Sequence, residues 1–138
     1  MKIKLIRNKE TIGFQLTNAF GVQSNISDNT EEAQKATFSP MESLLSALAG
    51  CMSIDVLHIL KKQKIEPKIY TLEVEGIRKD LPPRSFTKII LNFKISNEVS
   101  IQKVERAIEL SKNKYCSVSK SLNDNVEIIH SIEIVDLL

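Results

Sequence analysis

The fold is decided by the segment SPMESLLSALAGC, residues 39–51, because it starts a helix and carries a thiol into the apolar middle of that helix. Ser39 can accept a hydrogen bond from the first turn, Pro40 has the backbone angle that the first helical position requires, and Glu42 completes a Ser-x-x-Glu capping box. Apolar and small residues continue past Cys51, so we predict a long helix that is buried on nearly every side.

Length and composition indicate one domain that spans residues 1–138. A chain of this size buries roughly two thirds of its unfolded surface, which is enough for an ordinary core. The formal net charge is +2 and the basic residues are scattered, so we expect no nucleic-acid surface. No run approaches the ~18 apolar residues of a membrane span, and the N-terminus turns polar too soon for a signal peptide. We therefore expect no membrane partner and a cytoplasmic location.

The chain has two cysteines, Cys51 and Cys116. In a reducing cytosol we do not expect a permanent structural bridge between them, which leaves a redox pair or two buried thiols. Only two histidines, His58 and His130, could join them as metal ligands. We therefore predict no metal and no cofactor.

Hydrophobic periodicity predicts an α+β fold. Short segments of alternating polarity precede the long helix, longer ones follow it, and the polar residues 27–37 are predicted to form an exposed loop. Ser100 offers a cap for an amphipathic second helix. The predicted strands are residues 2–6, 13–17, 21–27, 70–77, 85–95 and 126–135. The predicted helices are residues 40–63 and 101–112, and residues 115–122 form a short helix or a turn. This clustering favours an α+β fold with a largely antiparallel sheet.

Cys51 permits two interpretations. Cysteine is often buried for packing alone, and a thiol in the middle of an apolar helix ionises poorly. Cys51 is a nucleophile only if a cation or hydrogen-bond donors reach its sulfur. Cys116 lies among serines where a short helix begins, in a setting that suits a resolving thiol.

Asp55 and His58 follow Cys51 on one face of the long helix. His58 lies about 10 Å along the helix from Cys51, too far for direct proton transfer, and we expect it to have a packing or capping role. Because the helix is apolar or small on nearly every face, one chain cannot cover it. We therefore predict an obligate dimer with a large apolar interface.

Three segments resemble the OsmC/Ohr family, the osmotically inducible protein C and organic hydroperoxide resistance proteins. They are residues 39–51, the segment PRSFTKI at residues 83–89, and YCSVS at residues 115–119, which is similar to the family's Cys-Pro-Val-Ser signature with serine in place of proline. The segment DVLHILKKQ, residues 55–63, resembles the YhfA-like branch of the family. The resemblance covers nearly the whole chain.

The resemblance implies an OsmC-like fold in which two chains intertwine as a homodimer, with the cysteine helices at the centre and an active site on each side of the interface. It also implies a thiol peroxidase. Cys51 attacks an organic hydroperoxide and becomes a sulfenic acid, and Cys116 condenses with it to a disulfide that a dithiol reductant reduces. The apolar helix around Cys51 suits a hydrophobic substrate better than hydrogen peroxide.

Two positions depart from the family pattern. The family glutamate directly follows the proline, where this chain has Met41, and Glu42 stands one residue later. The family's Gly-Gly-Arg-x-Gly segment, which contributes the active-site arginine, is not matched. We keep Glu42 as a candidate catalytic residue, with its place in the capping box as the structural alternative. The candidate cations are Arg7, Arg78, Arg84 and Arg106, and we choose Arg84, in the PRSFTKI segment, with a solvated loop charge as its alternative.

Two other functions remain open from the sequence. A non-catalytic family member could bind a hydrophobic small molecule at the same apolar site, with the cysteines serving as packing. A thiol redox sensor could instead transmit the oxidation of Cys51 to a partner. Peroxide-dependent turnover with a dithiol separates the peroxidase from both.

Overall fold

The computed structural model describes residues 1–7 and 9–137, which fall into two compact units divided at Leu44. The strands are β1 Ile3–Arg7, β2 Phe14–Asn18, β3 Gln23–Ile26, β4 Tyr70–Arg78, β5 Phe86–Ser96 and β6 Glu127–Val135. The helices are α1 Glu31–Ala36, α2 Pro40–Lys62, α3 Ile101–Leu110 and α4 Ser117–Ser121, with a π-helical turn at Ser111–Tyr115. The α+β class is confirmed, and the single domain of residues 1–138 stays a prediction.

In the first unit, β1, β2 and β3 form an antiparallel sheet in that order. The predicted loop at residues 27–37 is wrong, because it contains α1. The Thr30 side chain accepts a hydrogen bond from the Ala33 N–H at 3.3 Å, and Lys35 pairs with Glu31 one turn away. These are ordinary helix signals in a segment whose polarity concealed them.

The capping box that starts α2 is confirmed. The Ser39 N–H donates to Glu42 Oε2 at 2.7 Å, and the Glu42 N–H donates to Ser39 Oγ at 3.2 Å. The helix ends at Lys62, and Lys64, with φ of 60°, turns the chain away from the helix axis. Each end therefore lies within a residue or two of its predicted position.

Within one chain, α2 is fully buried along a single stripe, and its burial on nearly every side stays a prediction that requires a second chain. Its fully buried residues recur at every fourth position and are Leu48, Met52, Val56 and Leu60. Ile54 is 71% exposed and Leu57 38%. By length and composition alone, α2 is long and apolar enough to cross a membrane. Core helices of soluble proteins can have the same length and composition.

The second unit contains a sheet with the order β4-β5-β6. β4 and β5 pair antiparallel, and the diproline segment connects them, as expected for a hairpin. β6 pairs parallel to β5, which is the one parallel pairing among the strands of residues 1–7 and 9–137. Alternate residues of β5 are fully buried, namely Ile89, Leu91, Phe93 and Ile95. This alternation matches the predicted inward face of the strand.

A parallel pairing requires a crossover connection, and α3, the π-helical turn and α4 supply it. The inward face of α3 is fully buried at Val104, Ala107 and Ile108. Ser100 stands at the predicted cap position, but its hydroxyl donates to the Gln102 side chain at 2.7 Å instead of capping the helix. This crossover carries the second cysteine, Cys116, which directly follows the π-helical turn.

Candidate active site

The second unit brings the two cysteines together. Cys51 lies in the middle of α2 and is half-buried, while Cys116 is fully buried between the π-helical turn and α4. The two sulfur atoms and a carboxylate oxygen of Asp55 all lie within 4.8 Å of one another. Both thiols are free. Two residues far apart in the sequence therefore share one site.

Hydrogen bonds on both sides hold Cys116. Its N–H donates to the Ser111 carbonyl at 2.8 Å, which closes the π-helical turn. Its sulfur accepts from the Ser119 N–H at 3.4 Å and so caps α4, and the Ser119 hydroxyl donates to the Cys116 carbonyl at 2.9 Å. π-Helical turns occur frequently at functional sites, and this one fixes the position of the thiol.

Burial raises the pKa of the Cys116 thiol, and its hydrogen bond with the Cys51 sulfur raises this pKa further. The N–H and hydroxyl of Ser119 act in the opposite direction. At neutral pH Cys116 therefore keeps its proton and can donate it to the Cys51 sulfur.

Asp55 is the residue of this cluster to which the sequence analysis gave no role. It follows Cys51 by one helical turn, and its Oδ2 atom accepts a hydrogen bond from the Ser111 hydroxyl at 2.8 Å. Ser111 is itself fully buried. The sequence did contain a signal for a role of Asp55, because it is a carboxylate in an apolar helix four positions after a cysteine.

A cleft of about 500 Å³ borders Asp55. It lies between the second half of α2 and the end of the π-helical turn, and its lining is Asp55, His58, Ile59, Lys62, Gln63, Leu110 and Tyr115. His58 is exposed in this cleft, so the packing role is wrong within one chain, and the capping role stays a prediction. The wall combines the apolar side chains of Ile59 and Leu110 with polar and charged ones, among them Asp55 and Lys62.

The two remaining candidates, Arg84 and Glu42, make hydrogen bonds with residues other than the cysteines. The Arg84 Nε donates to the Lys79 carbonyl at 3.1 Å, and the Arg84 carbonyl accepts from Arg78 Nε at 2.6 Å, in the loop between β4 and β5. The hydrogen bonds from Ser39 hold the pKa of Glu42 below its usual value. The roles of Arg84 and Glu42 at the thiol stay predictions.

Two clusters among the described residues have ligand atoms close enough to hold a metal ion. One is the thiol site with Asp55, and the other is Glu105, Glu109 and His130. Each offers three ligands, one fewer than a closed structural zinc site requires. Glu109 is also paired with Lys112 at 3.4 Å, so a cation already occupies its surroundings. The absence of a metal stays a prediction.

The family model for OsmC-like proteins matches residues 29–131. Protein YhfA of Escherichia coli K12 is 40% identical over 98 residues, which is 70% of this chain and 73% of that protein. The crystal structure of an OsmC-like protein from Mycoplasma pneumoniae has a TM-score of 0.80 at 18% identity and covers 97% of this chain and 96% of that one. The organic hydroperoxide resistance protein OhrB of Bacillus subtilis has a TM-score of 0.62 at 18% identity, with 96% of each chain covered.

The α+β fold of this chain is thus shared with an OsmC-like and an Ohr structure. The match over residues 29–131 and the relationship to YhfA show that this chain belongs to the OsmC-like protein family. The resemblance inferred from residues 39–51, 83–89 and 115–119 is confirmed. The solved structures, at 18% identity, establish the fold and no more.

Proposed function

We propose that this protein is a cytoplasmic thiol peroxidase that reduces hydrophobic organic hydroperoxides. The observation that carries the proposal is the proximity of the Cys51 and Cys116 sulfurs, within 4.8 Å of each other. A disulfide can form between them after a small side-chain movement, since sulfur atoms bond at about 2.05 Å. The name of OhrB, an organic hydroperoxide resistance protein, supports the choice of substrate class.

The first step belongs to Cys51, which is the half-buried member of the pair. Its thiolate attacks one oxygen of the hydroperoxide, the O–O bond breaks, and the alcohol leaves after taking up a proton. Cys51 becomes a sulfenic acid. In the second step the Cys116 sulfur displaces the hydroxyl of that sulfenic acid as water, and a disulfide forms. An external dithiol reduces the disulfide and restores both thiols.

We propose that Arg84, in the PRSFTKI segment, and Glu42, one residue after the position of the family glutamate, assist the first step. An arginine beside a thiolate stabilises its charge and can hold a second acceptor with its planar fork. Arg84→Met is expected to slow the reaction of Cys51 with iodoacetamide at pH 7, and lysine at this position to restore only part of the rate. Arg106→Met, on the exposed face of α3, is the matched control. An unchanged alkylation rate removes Arg84 from the site.

We also propose that the protein is a homodimer. The exposed apolar side chains of α2, Ile54 and Leu57, require cover that a second copy of the chain can give. The apolar surface around Cys51 also suits a hydrophobic hydroperoxide.

Turnover of an organic hydroperoxide with a dithiol tests the function. Cys51→Ser is expected to abolish peroxide consumption, because a serine hydroxyl is a far weaker nucleophile and forms no sulfenic acid. Cys116→Ser is expected to allow one oxidation and to leave a sulfenic acid on Cys51 that dimedone traps. Retained turnover in Cys51→Ser would refute the assignment. A disulfide without turnover favours the redox sensor, and an inert thiol pair favours the binding protein.

A further inference from the structure

We propose that Asp55 is the acid–base residue of the disulfide-forming step: it takes the proton of the Cys116 thiol and gives it to the hydroxyl that leaves Cys51. The inference rests on the proposed function, because a sulfenic acid must first form on Cys51. It adds a catalytic residue that neither the sequence analysis nor the family resemblance assigned.

The geometry supports this role. One carboxylate oxygen of Asp55 lies within 4.8 Å of both sulfurs, so it can serve the attacking thiol and the leaving oxygen in turn. The Ser111 hydroxyl donates to Oδ2 at 2.8 Å. This bond fixes the carboxylate from the first residue of the π-helical turn. Contacts of this kind tighten when the reacting groups are in place.

The chemistry requires a base at Cys116. The thiol is fully buried, and burial raises its pKa, so the attacking sulfur holds its proton at neutral pH. The other titratable groups of the adjoining cleft are His58 and Lys62 on α2 and Tyr115 on the π-helical turn. Among the described residues that line this cleft, Asp55 alone carries a carboxylate.

The step balances without another reactant. The Asp55 carboxylate accepts the Cys116 proton, the Cys116 sulfur forms the S–S bond, and the S–O bond of the Cys51 sulfenic acid breaks. The departing oxygen takes the proton back from Asp55 and leaves as water. Cys116 is oxidised, the Cys51 sulfur is reduced from the sulfenic state, and the carboxylate is regenerated.

The same negative charge opposes the first step. The Cys51 sulfur carries negative charge when it attacks the hydroperoxide, and a carboxylate nearby repels that charge at short range. Removing that charge therefore has opposite effects on the two steps, which a purely structural role of Asp55 does not produce.

The test follows both steps in Asp55→Asn, which keeps the side-chain shape and the acceptor for Ser111 but cannot hold the proton. Reduced protein is mixed with one equivalent of cumene hydroperoxide. Dimedone quenching then measures the sulfenic acid, and mass spectrometry measures the disulfide. We expect sulfenic acid to form at the parent rate or faster, and the disulfide to form about 100-fold more slowly at pH 7. The disulfide rate of this variant rises with pH as hydroxide replaces the missing base.

Two further variants complete the design. Glu105→Gln, in the other carboxylate cluster, is expected to leave both rates unchanged. Asp55→Glu retains a base and is expected to recover part of the disulfide rate, and circular dichroism checks the fold of each variant. A parent-like disulfide rate in Asp55→Asn overturns the inference and leaves the peroxidase standing. Slower sulfenic acid formation in a folded Asp55→Asn also overturns it. A parent protein that forms no sulfenic acid overturns both proposals.

Discussion

The hydrogen bond from the Ser111 hydroxyl to Asp55 allows the stability loss of Ser111→Ala to be predicted. A hydrogen bond to a charged acceptor contributes about 1.5–3 kcal/mol when buried. Ser111 is fully buried but Asp55 is only half-buried, so water replaces part of the lost bond in the variant. We expect the free energy of unfolding to fall by about 1–2 kcal/mol, which is roughly a 5- to 30-fold change in the ratio of folded to unfolded protein.

Urea unfolding of the reduced protein measures this loss, with an unchanged dependence on urea concentration because the surface exposed on unfolding is the same. Ser117→Ala, at an exposed position, is the matched control and is expected to change stability by less than about 0.5 kcal/mol. A Ser111→Ala variant as stable as the control would show that this bond does not form in solution. The argument for a fixed carboxylate at the thiols would then lose its support.

Three more predictions concern stability and one concerns assembly. Because burial raises the pKa of Cys116, unfolding releases its proton at alkaline pH, so stability falls as pH rises from the ordinary thiol range through the raised pKa, and Cys116→Ala lacks this slope in pH-dependent urea unfolding. Met52→Ala leaves a cavity under α2 and is expected to cost about 2–5 kcal/mol by the same method. Gly13→Ala forces a side chain onto a φ of 71° and against the Ile26 carbonyl oxygen, so thermal unfolding is expected to show a loss of at least about 2 kcal/mol. Ile54→Glu puts a charge on the exposed apolar face of α2, and sedimentation is expected to show monomers, whereas a monomeric parent protein would contradict the proposed dimer.

The sequence was sufficient for features whose determinants are local. The Ser39 and Glu42 box fixed the start of α2, and the alternation in residues 85–95 identified the inward face of β5. The helix α1 has equally local signals, but they lie in a polar segment that resembles a loop when only hydrophobic periodicity is counted.

The candidate site was predictable only in part, because it depends on contacts between distant segments. The family resemblance implied that Cys51 and Cys116 react with each other, and periodicity alone gave no reason to bring them together. The hydrogen bond between Ser111 and Asp55 depends on the π-helical turn that follows α3. The residue pattern of this segment did not predict that turn. The faces of α2 that its own chain buries could not be predicted, because the pattern of a helix does not state whether its own chain or a second one covers it.

The parallel pairing of β6 with β5 has a consequence for the thiols. The crossover that carries Cys116 is held at one end by β5 and at the other by β6, which pair directly with each other from Lys88 and Glu127 to Ser96 and Val135. Neither cysteine belongs to β6. Removing β6 nevertheless frees one end of the crossover that carries Cys116. A chain shortened before Glu127 would keep both thiols in its sequence, yet the segment that carries Cys116 would be anchored to the sheet through β5 alone.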